Sequence, residues 1–243
     1  MPGDVTGSLV YDARSGAFSF REGPVFANLL LADEINRTPP KTQAALLEAM
    51  EEHQVSIDGE PRPLPDPFMV IATQNPVEYE GTYPLPEAQL DRFLMKTSVG
   101  YPDTEAAIHV LAGSSQPDRS KRLNPVLAQQ AVAEMIESVK DNYVDNSVLH
   151  YAQRLVEATR EDEDTSMGVS TRGAIAMVRA ARVWAAAHGR NYVLPDDVKE
   201  LAAPVWTHRL IMSPEAEFAG VQPTDVIARV LASVEAPTNR MNA

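Results

Sequence analysis

Four short stretches bring together residue types that could do chemistry. Asp33-Glu34 directly follows the apolar run Leu29 to Ala32. Ligands of open α/β sheets gather beyond the carboxyl ends of the strands, and two acids there can divide labour. One can hold Mg²⁺ through its water shell while the other orients or deprotonates an attacking water; a polar turn explains the pair equally well. Thr73-Gln74-Asn75-Pro76 closes a second apolar run, Phe68 to Thr73. If the two runs are neighbouring parallel strands, Asn75 emerges beside Asp33 and Glu34, where its amide can orient the same water; an Asn-Pro turn also accounts for it. In Leu85-Pro86-Glu87-Ala88-Gln89-Leu90-Asp91-Arg92-Phe93, Pro86 suits a first helical position, and Leu90 with Phe93 can bury one side. Arg92 is then left near the helix end, either as a surface cation favoured by the helix dipole or as an arginine finger reaching a phosphate on another subunit. In Gly168-Val169-Ser170-Thr171-Arg172-Gly173, Ser170 or Thr171 can cap a helix whose first turn holds Arg172. The dipole disfavours a cation there, which hints at an anion partner.

The surrounding sequence must supply the elements that position these groups. The runs Ala27 to Ala32 and Phe68 to Thr73 are almost continuously apolar, as in parallel strands covered on both faces. Between them, Lys41 to His53 predicts a helix with Ala44, Leu47 and Met50 on one face. Gln54 to Ile57 followed by Asp58-Gly59 is a hairpin signal, and Pro61 and Pro63 keep its return strand at an edge. Ala17 to Phe20 after Ser15-Gly16 predicts another hairpin. Beyond residue 103 the texture changes to long Ala-rich stretches of helical period. Tyr101-Pro102-Asp103-Thr104 is the expected hinge, Gly113 to Asp118 a polar loop, and residues 1–103 and 104–243 the expected domains. Ile175, Val178, Ala181 and Ala185, widened by Met177 and Trp184, form a stripe expected to pack in the core. Arg160 to Asp164 (REDED) is expected to be a solvated loop rather than a metal site.

Composition narrows the function classes. The chain has 243 residues, 44% hydrophobic and 23% charged, with 21 Lys+Arg against 34 Asp+Glu, a net charge of −13. Phosphate repels so acidic a chain, so nucleic acid is not an expected partner. Cysteine is absent, which excludes disulfides, thiolate metal sites and a cysteine nucleophile. No apolar run approaches the roughly 20 residues that span a bilayer, and the first residues lack a basic and an apolar region of a leader. A cytoplasmic protein with no membrane insertion is the expectation.

Taken in order, the acid pair, Asn-Pro, Leu-Asp-Arg-Phe and Ser-Thr-Arg resemble the MoxR family of AAA+ ATPases. Leu29 to Glu34 resembles the Walker B strand, extended by Ile35-Asn36-Arg37, and Pro39 to Glu52 is very similar to the family pattern. Thr73 to Pro76 resembles sensor 1, Leu85 to Phe93 the arginine-finger helix, and Arg172 the sensor 2 position. The hairpin at Asp58-Gly59 is similar to the pre-sensor-1 hairpin, and residues 3–24 to the helix-2 insert. The resemblance implies a partial α/β P-loop-type parallel sheet with hairpin insertions, followed by an all-α lid. It implies ATP and Mg²⁺ as cofactors, with Asp33 on the metal, Glu34 activating water that Asn75 positions, and γ-phosphate charge offset by Arg92 in trans and Arg172 in cis. It further implies a homo-oligomeric, hexameric ring when full length, and partners carrying von Willebrand factor A domains that are remodelled in a chaperone-like way.

Two departures from the family pattern stand out. Sensor 2 reads Ser-Thr-Arg-Gly where Ser-Pro-Arg-Ala is commoner. None of the twelve glycines is followed by lysine, so no Gly-Lys-Ser/Thr phosphate loop is present. The chain is therefore expected to be truncated inside the helix-2 insert and inactive by itself. A non-enzymatic interaction module that keeps ring and lid contacts is the alternative. In the family sheet the P-loop strand lies between the sensor 1 strand and the last strand, expected here at Leu94 to Val99.

Overall fold

In a computed structural model of the chain, residues 1–14, 16–75, 83–113 and 123–237 are described. A short helix α1 (Pro2–Thr6) leads into the antiparallel hairpin β1 (Gly7–Asp12) and β2 (Ala17–Glu22). Strand β3 (Leu29–Ala32), helix α2 (Pro40–Glu52), the hairpin β4 (Gln54–Ile57) and β5 (Glu60–Pro63), and strand β6 (Met69–Ala72) follow. The β4–β5 turn has Asp58 at φ 50° and Gly59 at φ 84°, the doubly left-handed geometry that the Asp-Gly pair predicts.

Strands β3 and β6 pair in parallel, with Leu29 opposite Met69 and Ala32 opposite Ala72. This register brings the ends of the two chemistry-bearing strands together. Coverage on both faces, expected from the apolar runs, is not what the pair shows. Leu30, Ala32, Val70 and Ala72 pack against the core of Ile35, Leu46, Leu47 and Leu85. Leu29, Leu31, Met69 and Ile71 on the other face are 58%, 63%, 59% and 42% exposed. The buried face of α2 also differs from the expected one. Ala44 is exposed, and Thr42, Gln43, Leu46, Leu47 and Ala49 are buried. Gln43 tolerates burial because its amide donates to the carbonyls of Ile35 (3.0 Å) and Tyr83 (2.9 Å).

Leu94 to Val99 is not a strand, contrary to the expectation. The carbonyls of Phe93 and Leu94 accept hydrogen bonds from Arg209, and the Lys96 N–H donates to the Pro204 carbonyl at 2.8 Å. These groups are already committed to the helical half, and no described strand lies alongside to offer a ladder.

From Asp103 onward the chain is helical: α3 (Glu87–Leu90) precedes it, and α4 (Thr104–Ala112), α5 (Gln129–Lys140), α6 (Asn146–Glu161), α7 (Thr171–Ala187), α8 (Pro195–Trp206), α9 (Pro214–Ala219) and α10 (Pro223–Ser233) succeed it. Asp103 caps α4 by accepting from the Ala106 N–H at 2.7 Å, so a helix begins at the expected hinge. The polar loop expected from Gly113 to Asp118 lies, beyond Gly113, outside the described residues, as does Pro76. The core of this half surrounds the fully buried Tyr151, Leu155, Met177 and Trp206. Burial of a Leu or Met side chain contributes about 1.5–3 kcal/mol relative to exposure. The core stripe of α7 is Gly173, Ala176, Met177, Ala180, Ala181 and Ala185; Ile175 and Trp184, expected inside, lie on the solvent side. Small residues dominate the side of α7 that packs against α6 and α8, with Met177 the one bulky side chain among them. A short antiparallel pair, β7 (Thr165–Met167) with β8 (Ile211–Met212), pins the end of α6 to the segment after α8. Within REDED, Asp162 and Asp164 accept hydrogen bonds from Arg229 of α10 at 2.8 and 2.6 Å, so the run is part of the packing rather than a free loop.

A two-stranded pair open on one face should open locally far more readily than α7. The Met69 and Thr73 amides, which donate to Asn28 and Ala32, are expected to exchange at least about tenfold faster than those of Met177 and Ala181 in native-state hydrogen exchange. Equal protection would mean that the open face is covered in solution.

Candidate functional site

The acid pair begins where β3 stops. Continuing the β3–β6 register one step brings Thr73 beside Asp33. The Thr73 hydroxyl donates to Asp33 Oδ1 at 2.5 Å and accepts from the Glu34 N–H at 2.8 Å. Backbone bonds lock the same point, with Thr73 N–H donating to Ala32 (3.1 Å) and Ile35 N–H donating to Thr73 (3.0 Å). Glu34 takes a left-handed backbone at φ 50°, ψ 50°, then leads into a 3-10 turn at Ile35–Arg37. A non-glycine residue held there carries strain that its surroundings must offset; the Thr73 bond and an ion pair from Arg37 to the Glu34 carboxylate at 3.2 Å are those surroundings. Asn36 is buried and donates through its side chain to the Asn75 carbonyl at 3.3 Å. Asn75 therefore lies in this neighbourhood, tied in by its backbone carbonyl.

The arginines assemble elsewhere. Arg92 follows α3, and its guanidinium donates to the Glu51 carboxylate and to the Leu47 carbonyl at 3.3 Å. Arg172, in the first turn of α7, donates to the other oxygen of the same carboxylate. Glu51 lies in the last turn of α2, where the negative end of the helix dipole favours cations. The two guanidiniums, expected on different nucleotides, share one carboxylate. Among the described residues no hydrogen bond or ion pair joins either arginine to Asp33 or Glu34. The structure thus brings together Asp33, Glu34 and Asn75 as one set, and Arg92 and Arg172 as another.

Between Arg92 and Arg172 lies a latch that sequence reasoning missed. Asp91 accepts from the Ser170 hydroxyl at 2.9 Å and from Arg209 Nε at 2.9 Å. Ser170 is also the N-cap of α7, accepting from the Gly173 N–H at 3.1 Å. The Arg209 side chain is 1% exposed, and its other donors go to the carbonyls of Asp91, Phe93, Leu94 and Val205. The Trp206 indole donates to the Gly173 carbonyl at 3.0 Å. A Cβ at Gly173 would stand 2.7 Å from Val169 Cγ1 and 2.8 Å from Arg209 Cδ, a steric reason for Gly where the family pattern commonly has Ala. His208 lies with Nε2 at 3.1 Å from the Phe93 carbonyl. Burial pushes its pKa down to about 4; the Phe93 carbonyl opposes that shift and the Arg209 charge adds to it. The available signal was Thr207-His208-Arg209 after the apolar Val205-Trp206: two ionisable residues where a buried helix ends.

The donor set fits the implied ligands in part. Carboxylate oxygens suit Mg²⁺, which keeps several waters and takes one or two protein carboxylates. Guanidiniums suit phosphate oxygens. A lysine-bearing phosphate loop does not occur in the 243 residues.

A parallel strand pair ending in an acid pair and a polar sensor loop, joined to a helical domain whose capped helix presents an arginine, defines the AAA+ class of ATPases. Residues 1–95 match the family described as "ATPase family associated with various cellular activities (AAA)", and residues 157–230 match the AAA lid domain. The chain is 46% identical over 240 residues to the uncharacterized protein YeaC of Bacillus subtilis, spanning 99% of this chain and 75% of YeaC. It is 42% identical over 247 residues to the chaperone MoxR1 of Mycobacterium tuberculosis, across 98% of this chain and 65% of MoxR1. A crystal structure of a candidate ATPase from Cytophaga hutchinsonii superposes with a TM-score of 0.90 at 40% identity, covering 98% of this chain and 75% of that one. The chain belongs to the MoxR family of AAA+ ATPases.

Two outcomes test the latch. Asp91→Ala strands the buried Arg209 charge and is expected to cost about 3 kcal/mol in urea unfolding with an unchanged slope. For His208, the unfolded imidazole takes a proton below its usual 6.5 while the folded one stays neutral down to about 4. Stability should therefore fall as pH drops through that window, by on the order of 3 kcal/mol at most. His208→Asn should remove this component in unfolding curves compared at pH 7 and pH 4.5.

Proposed function

We propose that the chain carries the hydrolytic and sensing groups of a Mg²⁺-dependent ATPase whose turnover drives chaperone-like remodelling of partner proteins. The observation that supports it most is the Thr73 hydroxyl, at the end of β6, joined to the Asp33 carboxylate and to the Glu34 backbone N–H, which fixes the acid pair where β3 ends. Asp33 is the residue that would hold Mg²⁺, which when bound neutralises phosphate charge. Glu34 accepts the proton of the attacking water, and Asn75 orients that water. Arg92 and Arg172 offset the charge that develops on the γ-phosphate; an arginine finger is worth roughly a thousandfold or more in turnover.

Arg92 serves a neighbouring subunit's nucleotide, which requires a ring, in the family form a hexamer. MoxR1 is described as a chaperone, in keeping with remodelling of partner proteins, and the partners proposed are ones that carry von Willebrand factor A domains. Among the described residues no helix is long and apolar enough to cross a membrane, in keeping with work in the cytoplasm. The lack of a Gly-Lys pair supports a second reading of these 243 residues, taken alone, as an interaction module with ring and lid contacts.

In the full-length protein, Glu34→Gln is expected to keep ATP binding and lose turnover at least about a hundredfold, because the amide cannot act as a base. Arg92→Ala should lose turnover too, and mixing the two variants should restore part of it by pairing an intact Glu34 with an intact Arg92. Undiminished turnover by Glu34→Gln would refute the assignment. The 243-residue chain itself should bind a fluorescent ATP analogue weakly or not at all. Saturable micromolar binding that Asp33→Ala abolishes would contradict this.

A further inference from the structure

Arg92, Arg172 and Glu51 come from three elements far apart in sequence and meet at the end of α2. Each arginine uses a single nitrogen on the carboxylate: Arg92 Nη1 on one oxygen, Arg172 Nη2 on the other. A guanidinium has five N–H donors in a planar fork. Apart from the Leu47 carbonyl, which Arg92 Nη1 also meets, the remaining donors of both arginines have no protein partner among the described residues. The Arg92, Glu51 and Arg172 side chains are 32%, 35% and 44% exposed, so the cluster opens to solvent.

A structural staple is a poor account of this cluster. Ion pairs this exposed add little to stability, and the segments are already joined. Asp91 and Ser170, one and two residues away from the arginines, form the buried latch with Arg209. The latch fixes the backbones; Glu51 acts on the side chains. Without it two like charges would face each other in one place and move apart. With it the cluster keeps a net charge of one positive unit and a set of outward donors, suited to an anion with several acceptor oxygens.

We propose that Glu51 is a positioning residue for a two-arginine phosphoryl site, holding Arg92 and Arg172 side by side so that both donate to one phosphate group of the neighbouring subunit's nucleotide, Arg172 then acting in trans with Arg92 and not in cis. It rests on the assignment of these arginines to the γ-phosphate made above. Glu51 touches neither the phosphate nor the attacking water, and acts through the two guanidiniums.

Two readouts test it. In the 243-residue chain labelled with ¹⁵N-arginine, the Nε–H resonances of Arg92 and Arg172, assigned by their loss in Arg92→Lys and Arg172→Lys, should both move in Glu51→Gln. Resonances that stay in place would overturn the geometry and the proposal. In the full-length ATPase, Glu51→Gln and Glu51→Ala should each lower kcat at least about tenfold, with KM for ATP changed less than about threefold. Because Glu51 is on the surface, the urea midpoint of both variants should match the parent. Unchanged or raised turnover in the Glu51 variants, beside loss in Arg92→Ala and Arg172→Ala, would overturn the positioning role alone; a rise would mean the carboxylate blocks the arginines. Full turnover in both arginine variants would overturn their assignment to the phosphate and the proposal with it.

Discussion

The Asp91 carboxylate is the point on which the rest of the structure depends. It accepts from Arg209, which the fold has taken out of water, and from Ser170, which caps α7. Burying a guanidinium is costly unless its charge is paired and its donors are used. Here Nε goes to the carboxylate, and both terminal nitrogens go to backbone carbonyls of residues 91, 93, 94 and 205. So complete a satisfaction needs the chain after α3 to follow one path. That path forecloses a strand at Leu94, places Arg92 one residue from the latch, and sets Arg172 two residues past Ser170. The positions of both arginines follow from one buried ion pair.

The two halves that the latch joins differ in how they are held. The helical half encloses Trp206, Tyr151, Leu155 and Met177 in a single contiguous core. The α/β half has smaller clusters under a parallel pair of four residues per strand, with one apolar face open. Its acid pair is held by local bonds instead: Thr73 to Asp33 and Glu34, Gln43 to Ile35 and Tyr83, and Asn36 to Asn75. Short polar bonds at strand ends can fix the backbone around the acid pair where bulk packing is thin.

Much of this was legible in the residues. The apolar runs located β3 and β6, Asp58-Gly59 marked the β4–β5 turn, the hinge at Tyr101 to Thr104 and the pair Ser170-Thr171 marked where helices begin, and the order of motifs pointed to the family. What escaped notice has physical causes. Alternation of burial in β3 and β6 is invisible when both faces are apolar, so Leu29 and Leu31 looked as buried as Leu30. The Ala-rich α7 has apolar residues nearly all round, which left its core side ambiguous and put Ile175 on the wrong one. Asp91, Thr73 and Glu51 act through partners 118, 40 and 121 residues away respectively. No spacing rule reaches that far. Arg209 gave only a faint signal, a cation beside Val205 and Trp206.

The central claim, that one buried ion pair holds both halves as a single body and thereby sets the arginines, is tested most directly by ¹⁵N relaxation of the purified chain. Backbone amides of α2 and of α7 should report the same rotational correlation time, in keeping with one rigid unit joined through Asp91 and Arg209. Separate and shorter correlation times for the two helices would contradict it, since Arg92 and Arg172 could not then keep a fixed relation.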